Sequence, residues 1–145
     1  QLGEDYQIVL VGLSHEQLKQ LPSNIIGIAR TDSVVELAEI YTAASVFVNP
    51  TYEDNYPTTN LEALACGTPV ISYETGGSVE AISESGYGCV VTQGDIVGLV
   101  EAIKTQCNNL PEKECLYRCD AVENYDRYVA LYEELKDKNE EDSSI

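Results

Sequence analysis

The sequence has no methionine and no tryptophan, one phenylalanine and one histidine, and only eight basic residues against 25 acidic ones. The resulting formal net charge of −17 excludes nucleic acid and anionic membrane surfaces as partners of this segment, because both would repel it. Only Lys19 and Arg30 are basic before residue 104. A phosphate bound in that stretch must therefore rely on backbone N–H groups or on cations from outside the chain. No apolar run approaches the ~20 residues that span a bilayer, and Gln1-Leu-Gly-Glu-Asp-Tyr6 has neither the basic start nor the apolar core of a signal peptide. The absent initial methionine leads us to expect a segment of a longer protein.

Other absences narrow the chemistry. The first predicted strand is not followed by Gly-x-Gly-x-x-Gly, and there is no Walker-type loop. The single histidine, His15, falls at a helix start, where a solvent-facing or capping role is expected, and no Ser–His–Asp triad assembles around it. Glu53-Asp54-Asn55 is not an Asp-x-Asp metal motif. The cysteines, at 66, 89, 107, 115 and 119, are odd in number and scattered. Cys66 and Cys89 lie in apolar contexts and read as buried thiols. Cys115 and Cys119 share a helical face, but no histidine or second pair completes a metal set. A reducing cytoplasm is the compartment this usage fits.

What is present is an alternation of strand and helix signals. Tyr6-Gln-Ile-Val-Leu-Val-Gly12 is a short apolar run closed by glycine, the pattern of a buried strand. Ser14 and Gln17 have the spacing of a capping box, and Pro22 follows that helix. Ile25-Ile-Gly-Ile-Ala29 is the second strand. Asp32 or Ser33 caps a helix over residues 34–44, with Val34, Leu37, Ala38, Tyr41 and Ala44 on one face. Val46-Phe-Val-Asn49 is a strand stopped by Pro50; a helix over residues 59–66 ends at Gly67; Val70-Ile-Ser-Tyr73 is the next strand. A short helix over 78–83, a strand at Gly88-Cys-Val-Val91, and a helix capped by Asp95 over 96–107 complete the pattern. A further helical region opens at Pro111. A last amphipathic helix covers residues 122–136, and residues 137–145 read as an acidic disordered tail. The fold class is α/β, a doubly wound Rossmann-like parallel sheet of about five to six strands flanked by helices. Ligands of such sheets bind beyond the carboxyl ends of the strands. The Gly12-Leu13 turn, the loop over residues 49–59 and the loop over 74–77 all leave such ends.

The most informative stretch is Asn49-Pro-Thr-Tyr-Glu-Asp-Asn-Tyr-Pro-Thr-Thr-Asn-Leu-Glu-Ala-Leu-Ala-Cys-Gly-Thr-Pro-Val70. Asp54 and Glu62 place a carboxylate on each side of a helix N-terminus, with the second acid expected on the first turn. Such an end, with unpaired N–H groups and a positive dipole, attracts an anion. Acids beside it would repel the anion itself, but they suit hydroxyl groups attached to it, as in a nucleotide sugar.

This string resembles the donor-binding signature of retaining glycosyltransferases of the GT-B fold, in family four, or group 1. The resemblance extends over Asn24-Ile-Ile-Gly-Ile-Ala29, Leu37-Ala-Glu-Ile-Tyr-Thr-Ala-Ala-Ser-Val-Phe-Val-Asn-Pro50, Thr75-Gly-Gly-Ser-Val-Glu80 and the helix over 122–135. It implies that residues 1–136 are the nucleotide-sugar-binding half of a GT-B architecture. The family's two signature acids fall on Asp54 and Glu62. The first is more often glutamate in the family, and Glu53 stands nine rather than eight positions before Glu62, so either Glu53 or Asp54 meets the transferred sugar. Glu62 is then the ribose ligand. Asn55, Tyr56, Pro57, Thr58 and Thr59 line the diphosphate and sugar. Pro57 has no N–H, which leaves Tyr56, Thr58 and Thr59 as backbone donors. Ala29 lies near the base, and Gly12 is placed in the donor site.

The implied reaction moves a hexosyl-type sugar from a nucleoside diphosphate sugar to an acceptor hydroxyl with retention, in polysaccharide or glycoconjugate biosynthesis. The nucleotide sugar is a substrate; no cofactor and no metal are implied. The N-terminal acceptor-binding domain is the implied partner, the family's basic pair that meets the diphosphate is expected upstream of Gln1, and the chain without that domain is expected to be inactive. An alternative is a stand-alone nucleotide-sugar-binding or interaction module that docks a partner subunit.

Overall fold

A computed structural model describes residues 2–109 and 129–130. The order of elements is β1 (Ile8–Val11), α1 (His15–Gln20), β2 (Ile25–Ile28), α2 (Val34–Ala43), β3 (Phe47–Asn49), α3 (Thr58–Ala65), β4 (Val70–Tyr73), α4 (Ser78–Ser85), β5 (Gly88–Val91) and α5 (Ile96–Asn108). The helical region anticipated from Pro111, the thiols of Cys115 and Cys119, and the acidic tail lie outside the described residues. So does the helix over 122–136, except that Val129 and Ala130 are helical.

The helix starts follow from local hydrogen bonding. Ser14 Oγ accepts from the Gln17 N–H at 3.2 Å, and Gln17 Oε1 accepts from the Ser14 N–H at 2.9 Å, closing the capping box. Ser33, not Asp32, caps α2 by accepting from the Glu36 N–H at 3.1 Å. Asp95 caps α5 through the Gly98 N–H at 2.9 Å. These bonds satisfy N–H groups that the first turn of a helix leaves without partners.

All strand pairs are parallel, but they form two sheets rather than one, β1-β2 and β3-β4-β5. In the larger sheet β4 is buried along its whole length. Val70 packs into a cluster with Tyr41 of α2, Ala63 and Leu64 of α3, Ala81 and Ile82 of α4, and Tyr87. Side chains alternate along a strand, so Ile71 and Tyr73 face the other side, where α5 packs on β4 and β5. Helices thus cover both faces of this sheet. The Tyr41 and Phe47 rings meet edge to face at 5.3 Å and 83°, which ties α2 to β3. Burying a leucine such as Leu64 contributes about 1.5–3 kcal/mol.

The smaller sheet departs from the expected pattern. β1 is apolar throughout, yet its four residues are 36–41% exposed. It pairs with β2 alone among the described residues, and a strand is buried only when neighbours cover its faces. Val34, expected on the inner face of α2, is 83% exposed because it lies in the first turn, ahead of Leu37 and Tyr41, which reach the core. Cys66 and Cys89 are half-buried rather than fully buried; partial burial still pushes the Cys89 thiol above its ordinary value.

Candidate functional site

β3 delivers the chain to the carboxyl edge of the larger sheet at Asn49, and Pro50 ends it. The following loop is held by short-range bonds. Thr51 Oγ1 donates to Glu53 O at 3.1 Å, and Asp54 Oδ1 accepts from the Tyr56 N–H at 3.1 Å. The second is an Asx turn, which aspartate favours because its carboxylate reaches the backbone two residues on. α3 starts one residue earlier than its pattern predicts, at Thr58. Its cap is Pro57, whose side chain offers no hydrogen bond. The Asn60 N–H turns back to Pro57 O at 3.1 Å, and no side chain covers the N-terminus where Thr58 and Thr59 sit exposed. This is an open, positively polarised helix end. Of the three backbone donors anticipated, Tyr56 is already engaged by Asp54; Thr58 and Thr59 are at the open end.

The glycine loop after β4 docks on the acidic loop. The Gly77 N–H donates to Asn55 O at 2.8 Å. Gly76 has φ +41°, and a Cβ there would stand 2.1 Å from Asp54 O; one on Gly77 would stand 2.3 Å from the Tyr56 ring. Only glycine permits this approach of two backbones. The two loops enclose an open cleft of about 370 Å³ lined by Tyr52, Glu53, Asp54, Asn55, Glu74, Thr75, Gly76 and Gln93. Its far side is fixed by Gln93 Nε2, which donates to Tyr52 O at 2.7 Å, and by the Tyr52 ring edge-on to Tyr73 at 5.6 Å. Glu53, Asp54 and Glu74 put three carboxylates in one small cleft, a lining that repels bare anions and offers acceptors for hydroxyl donors.

Glu62 stands elsewhere on the same segment. It is the fifth residue of α3, one position deeper than expected and so past the first turn, because the helix begins at Thr58 and its first turn carries no acid. Glu62 is exposed and does not line the cleft. Its Oε2 accepts from the Tyr41 hydroxyl at 3.1 Å. Burial, and then the Glu62 charge, hold that hydroxyl well above the ordinary tyrosine value, so at neutral pH it remains a donor. Behind the carboxylate, a buried polar chain pins α3. Asn49 Nδ2 donates to Asn60 Oδ1 at 2.9 Å, Asn60 Nδ2 to Ser78 Oγ at 3.4 Å, and Ser72 Oγ to Asn49 O at 2.9 Å. Asn60, Ser72 and Ser78 are fully buried. The sequence does not single out Tyr41 as a partner of Glu62, nor this chain, nor Gln93; these contacts join residues 11 to 41 positions apart, beyond any local signal.

Gly12 and Ala29 come together on the other sheet. They follow the paired ends Val11 and Ile28, and the Gly12 N–H donates to Ile28 O at 2.9 Å. The loops over 49–59 and 74–77 therefore converge, whereas the Gly12-Leu13 turn does not line their cleft. His15 is exposed as the first residue of α1. Among the described residues no group of three or more His, Cys, Asp or Glu is placed to hold a metal, and no helix is long and apolar enough to cross a membrane.

Comparison with known proteins agrees with this fold. Residues 1–109 match the family described as glycosyl transferases group 1. A D-inositol 3-phosphate glycosyltransferase of Streptomyces bingchenggensis is 46% identical over 56 residues, 39% of this chain and 12% of that protein. One of Paenarthrobacter aurescens is 41% identical over 87 residues, 60% of this chain and 21% of that protein. The solved structure of sucrose-phosphate synthase from Thermosynechococcus elongatus superposes with a TM-score of 0.65 at 28% identity, over 76% of this chain and 31% of that one. The chain thus spans under a quarter of these two curated relatives and under a third of the solved protein. With the fold of a GT-B glycosyltransferase domain and a family match over three quarters of its length, the chain belongs to the group 1 glycosyl transferases.

Proposed function

We propose that this chain is the donor-binding domain of a retaining glycosyltransferase, which transfers a hexosyl-type sugar from a nucleoside diphosphate sugar to an acceptor hydroxyl. The observation that carries the reading is the open N-terminus of α3 with Asp54 ahead of it and Glu62 one turn in. As the glycosidic bond breaks, negative charge grows on the departing diphosphate. Amides of Thr58 and Thr59, fixed at a positive helix end, stabilise that charge without reorganising. Asp54, with Glu53 beside it, holds hydroxyls of the transferred sugar, and Glu62 holds the ribose; both position rather than attack. Asn55, Tyr56 and Pro57 shape the wall between them, and Ala29 and Gly12 flank the nucleotide.

Family membership supports a nucleotide-sugar donor. Two of the similar proteins are named for phosphate esters, D-inositol 3-phosphate and sucrose phosphate. With Lys19 and Arg30 the only basic residues before 104, cations for such an acceptor and for the diphosphate come from polypeptide outside residues 1–145. In this reading the enzyme works in the cytoplasm, in polysaccharide or glycoconjugate synthesis, without a cofactor, and the chain without its acceptor domain does not turn over. Calorimetry with a panel of nucleoside diphosphate sugars tests the assignment. One donor should bind in the range of about 1 mM, and Glu62→Ala should abolish its heat. Equal binding by the variant removes the ribose role, and turnover by the 145-residue chain refutes the need for a second domain.

A further inference from the structure

The sugar-transfer reading gives Glu53 and Asp54 to the transferred sugar and leaves other residues of their cleft unused. Glu74 stands where β4 ends, with its N–H bonded to Val91 O at 2.9 Å, and it lines the cleft together with Tyr52 and Gln93. Tyr52 is 61% exposed, yet it is held in place. Its carbonyl accepts from Gln93 Nε2 at 2.7 Å. Its ring meets that of Tyr73 edge to face at 5.6 Å. Its hydroxyl reaches so near Gly94 that a Cβ there would stand 3.4 Å away. An exposed ring already fixed in position offers its face to a ligand with little further cost of ordering.

Between Arg30 and Lys104 the sequence has no basic residue. The loops that form the cleft therefore set the carboxylates of Glu53, Asp54 and Glu74 against no counter-charge of their own. This combination selects among sugars. A pyranose carries C–H groups on its faces and hydroxyls around its rim. The C–H groups suit the electron-rich face of an aromatic ring, and the hydroxyls suit carboxylate acceptors and the Gln93 amide oxygen. A sugar with a carboxylate of its own meets like charges instead. At about 370 Å³ the cleft is at the small end of ligand sites, which run from about 300 to 1,000 Å³, and suits one sugar unit rather than a whole nucleotide sugar.

We propose that the cleft selects an uncharged hexose as the transferred sugar and rejects the matching hexuronic acid, with Tyr52 as the stacking platform and Glu74 as the discriminating charge. The inference rests on the sugar-transfer reading and narrows its donor class. Tyr52 and Glu74 decide which sugar enters; the diphosphate and the ribose are held elsewhere, at the start of α3 and at Glu62.

NMR titrations of the 145-residue chain test it, with pairs of nucleoside diphosphate sugars that share base and stereochemistry and differ only at C6, hydroxymethyl in one and carboxylate in the other. Glucose, galactose and mannose pairs on adenine, guanine, uracil and thymine make up the panel. At low ionic strength the uncharged member of a binding pair should bind about tenfold more tightly, from like-charge repulsion, and the gap should shrink as salt screens it. Glu74→Gln should narrow the gap. Glu74→Arg should close or invert it, a gain of uronic acid binding that misfolding cannot produce. Tyr52→Ala should weaken the uncharged donor by about two- to tenfold, and Tyr52→Phe should keep the wild-type affinity; equal losses in both remove the platform. Equal affinities within every binding pair, or a gap that Glu74→Arg leaves unchanged, overturn the proposal while donor binding stands. If no pair binds, the sugar-transfer reading fails and the proposal fails with it.

Discussion

The hydroxyl of Tyr41 and the carboxylate of Glu62 meet at 3.1 Å across 21 residues of sequence. The bond links a buried ring on α2 to an exposed acid on α3, and it restricts where that acid points. Tyr41→Phe keeps the ring, its packing in the core and its edge contact with Phe47, but removes the bond. Donor affinity should fall by about three- to tenfold, the range of one hydrogen bond, with the fold intact. Tyr41→Ala, in contrast, opens the core and should cost about 3–5 kcal/mol of stability. Calorimetry and urea unfolding of the two variants separate these effects.

The docking of the two loops depends on Gly76. Gly76→Ala adds a Cβ at positive φ directly against Asp54 O, so the acidic loop must move and the cleft must change shape. We expect a loss of about 1–3 kcal/mol from strain and overpacking, together with weaker donor binding. Gly86→Ala is the control. It has φ +63° but no heavy atom within 4 Å of its Cβ, so it should lower thermal stability without changing affinity.

Asn60→Ala should break the buried polar chain that fixes α3. It leaves the Asn49 amide without its acceptor beside a newly opened cavity, at a cost of about 1–3 kcal/mol. Because the chain runs from β3 through α3 to α4, the variant should also loosen the open end of α3. Faster exchange of the backbone amides at positions 60 and 61 in the native state would register that loosening.

The shifted tyrosines set an alkaline limit. Burial and the Glu62 charge hold Tyr41 above its ordinary value near 10, and burial raises Tyr87. Unfolded tyrosines ionise at about 10, so above that pH the unfolded chain binds fewer protons than the folded one. Stability should therefore be fully present below pH ~10 and fall as pH rises further. Tyr41→Phe should flatten that decline in denaturant titrations across the alkaline range.

Features decided by neighbours along the chain are legible in the amino-acid sequence itself. The Ser14–Gln17 box, the Asp95 cap, β5 and the strand-helix alternation all depend on local hydrogen bonds or on short apolar runs. The Asp54–Glu62 spacing is equally plain. Its geometry is not, because Pro57 serves as the cap and starts α3 at Thr58, which moves Glu62 off the first turn. Tyr41 reads only as a core-facing ring, since nothing near position 41 signals a carboxylate 21 residues on. The exposure of β1 is hidden for a related reason. An apolar run shows what a strand can bury, but burial requires neighbours on its faces, and among the described residues β1 pairs with β2 alone.

The most direct measurement is an NMR titration of the 145-residue chain with nucleoside diphosphate sugars, followed at backbone amides. The account predicts that at least one donor shifts the Thr58 and Thr59 amides together with Asp54 and Asn55, and that Glu62→Ala weakens the response. Shifts confined to other surfaces, or an unchanged response in Glu62→Ala, would contradict it.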